Sequence, residues 1–475
     1  MQNLQCDLCV IGAGSGGLSV AAGASQMGAD VVLIEKGEMG GDCLNSGCVP
    51  SKSLIAAAHA AHGIRRAARF GIHGGEPVVD WLKVHDHIHG VINDIAPHDS
   101  QERFESLGCR VIRESARFID AKTVQAGDVT IRARRFVVAT GSRPATPKIP
   151  GLESVPYFTN ETIFDNRQEL EHLVVIGGGP IAVELAQSFR RLGVKVTLLV
   201  RSGLLKKDDP ELVEIYKDRL IEEGIILHQG LSFDGVDGQQ GEIKLEITHQ
   251  AQGNKETIEG SHLLIATGRR PNLESLNLEA ADVHYGQKGI EVDQRLRSSN
   301  KKILAIGDVI GHHLFTHMAG YHAGVVIRNT LFHLPAKIDY RAVPWVTYGD
   351  PELAHVGMGE AEAKARGVWV ETLRKPLKEN DRARAEGEQE GLIKVVLGKK
   401  GLILGVEILA PHAGELLMPW ILAIQNKLRI GAMVSGIVPY PTMSELNKGV
   451  AGQFFTPKLY SARMRRVVRF LQKFA

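Results

Sequence analysis

Charge of one sign is what this 475-residue sequence most clearly lacks: 56 basic side chains stand against 54 acidic ones, a formal net charge of +2. No overall field gathers nucleic acid or an acidic substrate, so any basic patch is local. Long apolar runs are also missing, since stretches such as Val31 to Ile34 and Leu173 to Ile176 are too short to span a bilayer. The chain enters its first strand-like segment near Cys6 without a basic-plus-apolar leader, so a cytoplasmic location is expected. Five cysteines over this length exclude a disulfide scaffold. Apolar residues make up 44%, enough to pack the cores of roughly three domains.

What is present is a duplication. Leu8-Cys9-Val10-Ile11 runs into Gly12-Ala13-Gly14-Ser15-Gly16-Gly17 and a small-residue helix to about Met27. Leu173-Val174-Val175-Ile176 runs into Gly177-Gly178-Gly179-Pro180-Ile181-Ala182 and a helix to about Leu192. Each copy continues into a second strand, Val31 to Glu35 and Val196 to Arg201, at a matching offset. That is the pattern of two βαβ dinucleotide folds, in which the first glycine permits the tight turn, the second lets a pyrophosphate reach the backbone, and the helix N-terminus supplies N–H groups. Ala139-Thr140-Gly141 and Ala266-Thr267-Gly268 close the two copies, and Ile306-Gly307-Asp308 follows. The order places one nucleotide domain inside the other. Beyond about residue 340, apolar strands (Leu392 to Leu397, Leu402 to Leu409) and helices without a phosphate loop predict a third, α+β domain.

Between the first fold's second strand and its next helix lies Gly40-Gly41-Asp42-Cys43-Leu44-Asn45-Ser46-Gly47-Cys48-Val49-Pro50-Ser51-Lys52. Two thiols at this spacing beside a cofactor domain can cycle between dithiol and disulfide if the backbone brings them together. Cys6 and Cys9 are read as strand packing, because a fully extended chain holds their α-carbons roughly 10 Å apart. Cys109 is read as a small buried hydrophobe. Among His85, His87 and His89 only the first and last share a helical face, and no metal site is assigned.

With the two Gly-rich folds, the cysteine segment resembles the active site of the FAD-dependent pyridine nucleotide-disulfide oxidoreductases, and the similarity runs in motif order over about residues 5 to 455. The resemblance implies an electron path from nicotinamide to flavin to a Cys43–Cys48 disulfide. Cys48 is then the flavin-facing thiolate and Cys43 the interchange thiol. Lys52 is expected near the flavin, paired with Glu184 at the nicotinamide site, and Asp308 is expected at the ribityl chain. Motif and resemblance together assign FAD to Gly12, Gly14, Gly17, Glu35, Lys36, Gly41, Lys52, Thr140, Gly141 and Asp308. They assign the nicotinamide nucleotide to Gly177, Gly179, Ala182, Glu184, Arg201 and Gly268. Glu35 is suited to accept from a ribose hydroxyl, whereas the second fold has Arg201 at the end of its second strand, suited to a 2′-phosphate. NADPH is therefore expected over NADH, with Lys206 or Lys207 as a second cation.

Several positions depart from the family pattern. Family members acting on organic disulfides carry His-Pro-Thr-x-x-Glu in the C-terminal domain; here Tyr440-Pro441-Thr442-Met443-Ser444-Glu445 puts a phenol at the proton-shuttling position, as in the mercuric reductases. Neither the C-terminal cysteine pair nor the N-terminal metal-binding domain of that branch is expected in this chain. Asp42 replaces the usual threonine, and its carboxylate is expected to raise the Cys43 pKa. The last twenty residues carry Lys458, Arg463, Arg465, Arg466, Arg469 and Lys473 with no acidic side chain, and a helix there aligns Met464, Val467, Val468 and Leu471. Packing of that helix on its own domain is the expectation; contact with an anionic membrane surface, on the inner face, is the alternative.

The sequence thus predicts an α/β homodimer with an FAD-binding domain (1–148 and 272–340), an inserted NAD(P)H-binding domain (149–271), an interface domain (341–455) and a basic tail (456–475). The expected acceptor is a soft metal or a small thiol or disulfide, mercuric-reductase-like. The alternatives are a dihydrolipoamide dehydrogenase or other small-disulfide reductase, and a flavin-bound redox sensor or membrane-associated electron carrier.

Overall fold

The computed structural model describes residues 2–474. It divides into two compact units, one running to Ser202 and including Ile225–Ile338, the other comprising Gly203–Gly224 and the chain from Asp339 onward.

In the first unit, strand Gln2–Ile11 pairs in parallel with Val31–Ile34 and with Val129–Val138, and Val31–Ile34 pairs with Cys109–Ile112. A parallel sheet is covered on both faces, which is why Val31–Ile34 is an unbroken apolar run with every side chain buried. Ile303–Ala305 pairs in parallel with Val129–Val138 in this same sheet. Since that strand comes after the second phosphate-loop pattern, the second fold is an insertion in the first. A second, four-stranded parallel sheet runs in the order Ile226–Gln229, Lys195–Val200, His172–Ile176, His262–Ile265. An antiparallel meander of Leu231–Gln239, Glu242–His249 and Lys255–Gly260 leads off it.

The duplication holds bond by bond. Gly12 N donates to Ile34 O at 2.8 Å and Gly177 N to Leu199 O at 3.0 Å; Ala139 N donates to Ile11 O and Ala266 N to Ile176 O, both at 2.8 Å. Both glycines have positive φ, +103° and +153°, and a Cβ on either would stand 2.4 or 2.3 Å from the carbonyl oxygen of Ala139 or Ala266. The paired Ala-Thr-Gly segments recur because each lays its carbonyl over the first glycine of its fold. Helices Ser15–Gln26 and Pro180–Arg191 follow, capped by Gly14 and Gly179 with no side-chain cap, so their first-turn N–H groups are available to an anion.

The second unit holds a five-stranded antiparallel sheet in the order Pro344–Thr347, Glu352–Gly357, Ile403–Ala410, Leu392–Leu397, Glu371–Pro376. Trp420 is fully buried against it and donates to Asn447 Oδ1 at 2.8 Å. Helix Pro210–Glu222 also belongs here; Asp209 caps it, Pro210 sits where a missing N–H costs nothing, and buried Lys394 binds Asp209 at 2.5 Å and Glu211 at 3.0 Å.

Two expectations about minor features meet different outcomes. Cys6, Cys9 and Cys109 are buried as packing residues, and burial pushes the Cys6 thiol up to about 12. The C-terminal segment does form helix Ala462–Leu471, but none of its residues is buried, so the expectation that it packs on its own domain is corrected. Among the described residues, no helix is long and apolar enough to cross a membrane.

Candidate active site

Gly40 and Gly41 adopt left-handed backbone and turn the chain into the short helix Gly41–Asn45, which carries Asp42 and Cys43. Asn45 fixes this turn by donating to Met39 O at 3.0 Å and Gly41 O at 2.9 Å. Cys48 opens the next helix, Cys48–Arg66, and the fold-back brings the two free thiols into hydrogen-bond contact. Cys48 Sγ also lies 3.3 Å from the hydroxyl of Thr316, the first residue of helix Thr316–Thr330.

The pair divides its protons unequally. The hydrogen bond from Cys43 is the main influence drawing Cys48 down to about 6; the Thr316 hydroxyl and the Lys52 charge assist, while burial and Asp42 oppose. Cys43 is pushed above the ordinary thiol range, first by its hydrogen bond to Cys48, then by burial and by the Cys48 charge. At neutral pH Cys48 is the thiolate and Cys43 keeps the shared proton. The Asp42 carboxylate raises Cys48, behind the four influences named above. Its oxygens are already engaged, Oδ1 by Ser46 Oγ (3.0 Å) and Asn160 Nδ2 (3.2 Å), Oδ2 by Arg269 Nη2 (3.2 Å).

Lys52 lies one turn along from Cys48, and its Nζ meets Glu184 Oε2 at 2.8 Å, with Glu184 almost wholly buried on helix Pro180–Arg191. The ion pair therefore joins the cysteine-bearing helix of the first fold to the phosphate-loop helix of the second. Arg269, immediately after Gly268, donates to Ser142 Oγ at 2.7 Å, and Ser142 Oγ donates to Asp308 Oδ2 at 2.6 Å. Burial pushes Asp308 up, against Ser142 and Arg269. Behind it, Gly307 N donates to Nδ1 of buried His322, which burial lowers to about 4, so that imidazole stays neutral.

The remaining positions fall on the two phosphate loops. Glu35 accepts from Ala13 N at 2.6 Å and from Gly37 N at 2.7 Å, with lone pairs left for a ribose hydroxyl, while Lys36 is exposed. A Cβ on Gly41 would stand 2.7 Å from Gly14 Cα, so the two backbones form a trough without side chains, suited to the pyrophosphate of a dinucleotide. Gly17 packs so tightly that a Cβ would fall on Gly12 O, whereas Ala182 fills the equivalent place in the second fold and is fully buried. Thr140 Oγ1 donates to Asn272 O at 2.8 Å beside left-handed Gly141. Arg201 is exposed at the end of strand Lys195–Val200. Tyr440 and Glu445 lie in the second unit. Tyr440 is 71% exposed and its hydroxyl donates to Asp381 Oδ2 at 3.2 Å, which pushes its pKa up; Glu445 opens helix Glu445–Gln453. Sequence reasoning missed Arg269, Asn160 and Thr316. Only Arg269 had a local signal, its place directly after a phosphate-loop echo.

Residues 6–361 match the family model described as pyridine nucleotide-disulphide oxidoreductase, and residues 343–450 match the dimerisation domain of the same family. The chain belongs to this family. It is 37% identical over 442 residues to a mercuric reductase of Lysinibacillus sphaericus, covering 92% of this chain and 81% of that one. It is 33% identical over 451 residues to a dihydrolipoyl dehydrogenase of Geobacillus stearothermophilus, covering 93% and 95%. The crystal structure of LpdA from Mycobacterium tuberculosis superposes with a TM-score of 0.86 at 25% identity, covering 94% and 99%. The protein is thus an oxidoreductase that uses FAD and NAD(P)H, and its dimerisation domain supports a homodimer.

The thiol pair generates a direct test. In the reduced protein the ultraviolet absorbance of one thiolate should grow in as pH rises through about 6. Cys48→Ser should remove that step, and Cys43→Ala, which deletes the donated S–H, should move it to higher pH. An unmoved step in Cys43→Ala would refute the hydrogen bond as its cause.

Proposed function

We propose that this oxidoreductase uses NADPH to reduce a soft, thiophilic metal ion of the Hg(II) class, with Cys43 and Cys48 as the ligand pair. The observation that carries the reading is Tyr440, a phenol held protonated by Asp381 at the place where disulfide-processing relatives are expected to have a histidine. A disulfide substrate leaves as thiols that must be protonated, a step general acid–base catalysis speeds by roughly 10² to 10⁴-fold. A metal ion needs no such shuttle. The Cys48 thiolate offers the first ligand, and the charge of the bound ion lowers the Cys43 pKa so that its proton passes to water as the second sulfur coordinates. Lys52, steadied by Glu184, contributes the positive potential that favours the Cys48 thiolate. FAD, when bound, supplies the two-electron relay between the nicotinamide and the sulfur pair.

Residues 1–148 and 272–340 are assigned to FAD, 149–271 to the nicotinamide nucleotide and 341–455 to the subunit interface in this reading. The Glu35 carboxylate serves the FAD ribose, and Arg201, exposed and without an acidic counterpart at that strand end, serves the 2′-phosphate of NADPH. Helix Ala462–Leu471 leaves its apolar stripe exposed among six cations of residues 456–475, so we assign it to an anionic lipid surface.

Three outcomes are expected. NADPH oxidation by the holoenzyme should be faster with Hg(II) than with lipoamide, glutathione disulfide or quinones, and Tyr440→His should raise disulfide reduction within roughly 10² to 10⁴-fold without raising Hg(II) reduction; wild-type lipoamide turnover above that with Hg(II) would replace the metal by a disulfide. Arg201→Glu should lose the NADPH preference, read as the ratio of kcat/KM for the two nucleotides, and an unchanged ratio would remove Arg201 from nucleotide choice. The full chain should sediment with anionic vesicles in a salt-sensitive manner, each cation contributing roughly 1 kcal/mol; equal sedimentation of a chain ending at Phe455 would end the lipid assignment.

A further inference from the structure

Away from the thiols, the edge of the second parallel sheet and the meander that follows it bring together three side chains with no part in the reaction. His228 lies on edge strand Ile226–Gln229, His249 ends strand Glu242–His249, and Glu256 lies on strand Lys255–Gly260. Their placement follows from backbone geometry. Gly230, at φ +72°, turns the chain from the parallel sheet into the meander, and Gln250 locks that turn, its N–H donating to Gly230 O at 2.8 Å and its Nε2 to Leu231 O at 3.2 Å. In the hairpin, Glu256 pairs with Ile247, so period-two alternation puts its side chain on the same face as His249 two residues on.

The donor atoms converge. His249 Nε2 lies 2.8 Å and His228 Nδ1 3.8 Å from Glu256 Oε2, and one ligand atom from each of the three residues falls within 4.8 Å of the others. Ligands about 2.0 to 2.2 Å from a tetrahedral ion are roughly 3.3 Å from one another, so the two distances to Oε2 bracket the spacing such an ion imposes. Both imidazoles are about four-fifths shielded and Glu256 is 42% exposed, which leaves a solvent side for water as the remaining ligand. Among the described residues this is the one group of three such side chains so disposed.

We propose that His228, His249 and Glu256 form a binding site for a borderline divalent ion of the Zn(II), Co(II) or Cu(II) class. Two imidazoles and one carboxylate with an open position suit those ions, whereas hard Mg(II) and Ca(II) favour all-oxygen shells and Hg(II) favours thiolates. The bound ion ties the edge of the nucleotide-binding sheet to the meander.

The test uses FAD-loaded enzyme with Cys43 and Cys48 oxidised to the disulfide, so that their thiols do not compete, titrated with Zn(II) by calorimetry. One saturable equivalent is expected, with affinity falling more than roughly tenfold in each of His228→Ala, His249→Ala and Glu256→Gln, while FAD content and the rate of reduction by NADPH stay unchanged. Loading wild-type enzyme with one equivalent of Cu(II) should give an electron paramagnetic resonance spectrum split by imidazole nitrogen, a readout that does not depend on the folding of any variant. Absence of saturable binding below about 1 mM, binding that survives all three substitutions, or a copper signal without nitrogen splitting would each overturn the site.

Discussion

Two carbonyl groups set the geometry on which the rest depends. Ala139 O and Ala266 O lie 2.4 and 2.3 Å from where a Cβ on Gly12 or Gly177 would stand. Closing the strand-end loop over a residue without a side chain lets the first strand turn directly into a helix, so that the helix N-terminus and its unpaired N–H groups face the crevice at the end of the sheet. The redox segment and its ion pair are positioned from these two turns. The cysteine helix starts where Gly41 backs onto Gly14, and Glu184 reaches Lys52 from the helix that Gly179 caps.

The thiol pair is tuned by neighbours that make no covalent contribution. Cys48 does not start a helix with a capping side chain, yet it is the more acidic thiol, because a sulfur donor, a hydroxyl and an ammonium all favour its charged form. Asp42 opposes this as the last of the five influences on Cys48. Arg269, Ser46 and Asn160 hold it, and Arg269 also donates to the Ser142 hydroxyl that in turn bonds Asp308, so the carboxylate beside the redox segment and the one on the opposite loop share a single cation network.

The parts legible in the sequence were those governed by short-range rules. The paired glycine loops, the buried parallel strands and the inserted order of the two folds follow from local periodicity and repetition, because a strand covered on both faces must be apolar throughout and a tight turn must lack a Cβ. The convergence of Lys52 on Glu184 was legible only through family resemblance. Thr316 and Asn160 were not legible at all: each reaches the redox segment across more than a hundred residues, 268 for Thr316 to Cys48 and 118 for Asn160 to Asp42, and neither residue type is unusual in its own neighbourhood. The partner of Asp42 was likewise out of reach of local rules, because the guanidinium that engages its carboxylate is contributed by Arg269.

The pairing of Ile303–Ala305 with Val129–Val138 has a consequence for how the molecule is made. A ribosome delivers the first sheet's other strands early, but the strand that pairs with Phe136–Val138, and the Asp308 loop that follows it, emerge only after residues 139–302 have been synthesised. At roughly 5 to 20 residues per second, that interval is many seconds, long compared with the folding time of most single domains. During it, the inserted fold has all of its own parallel strands and can mature first. The first fold meanwhile carries an unpaired apolar stretch at Phe136–Val138, the kind of surface that pairs with other chains if left uncovered. The order in which the two sheets can be completed is therefore the reverse of the order of the two phosphate loops in the chain.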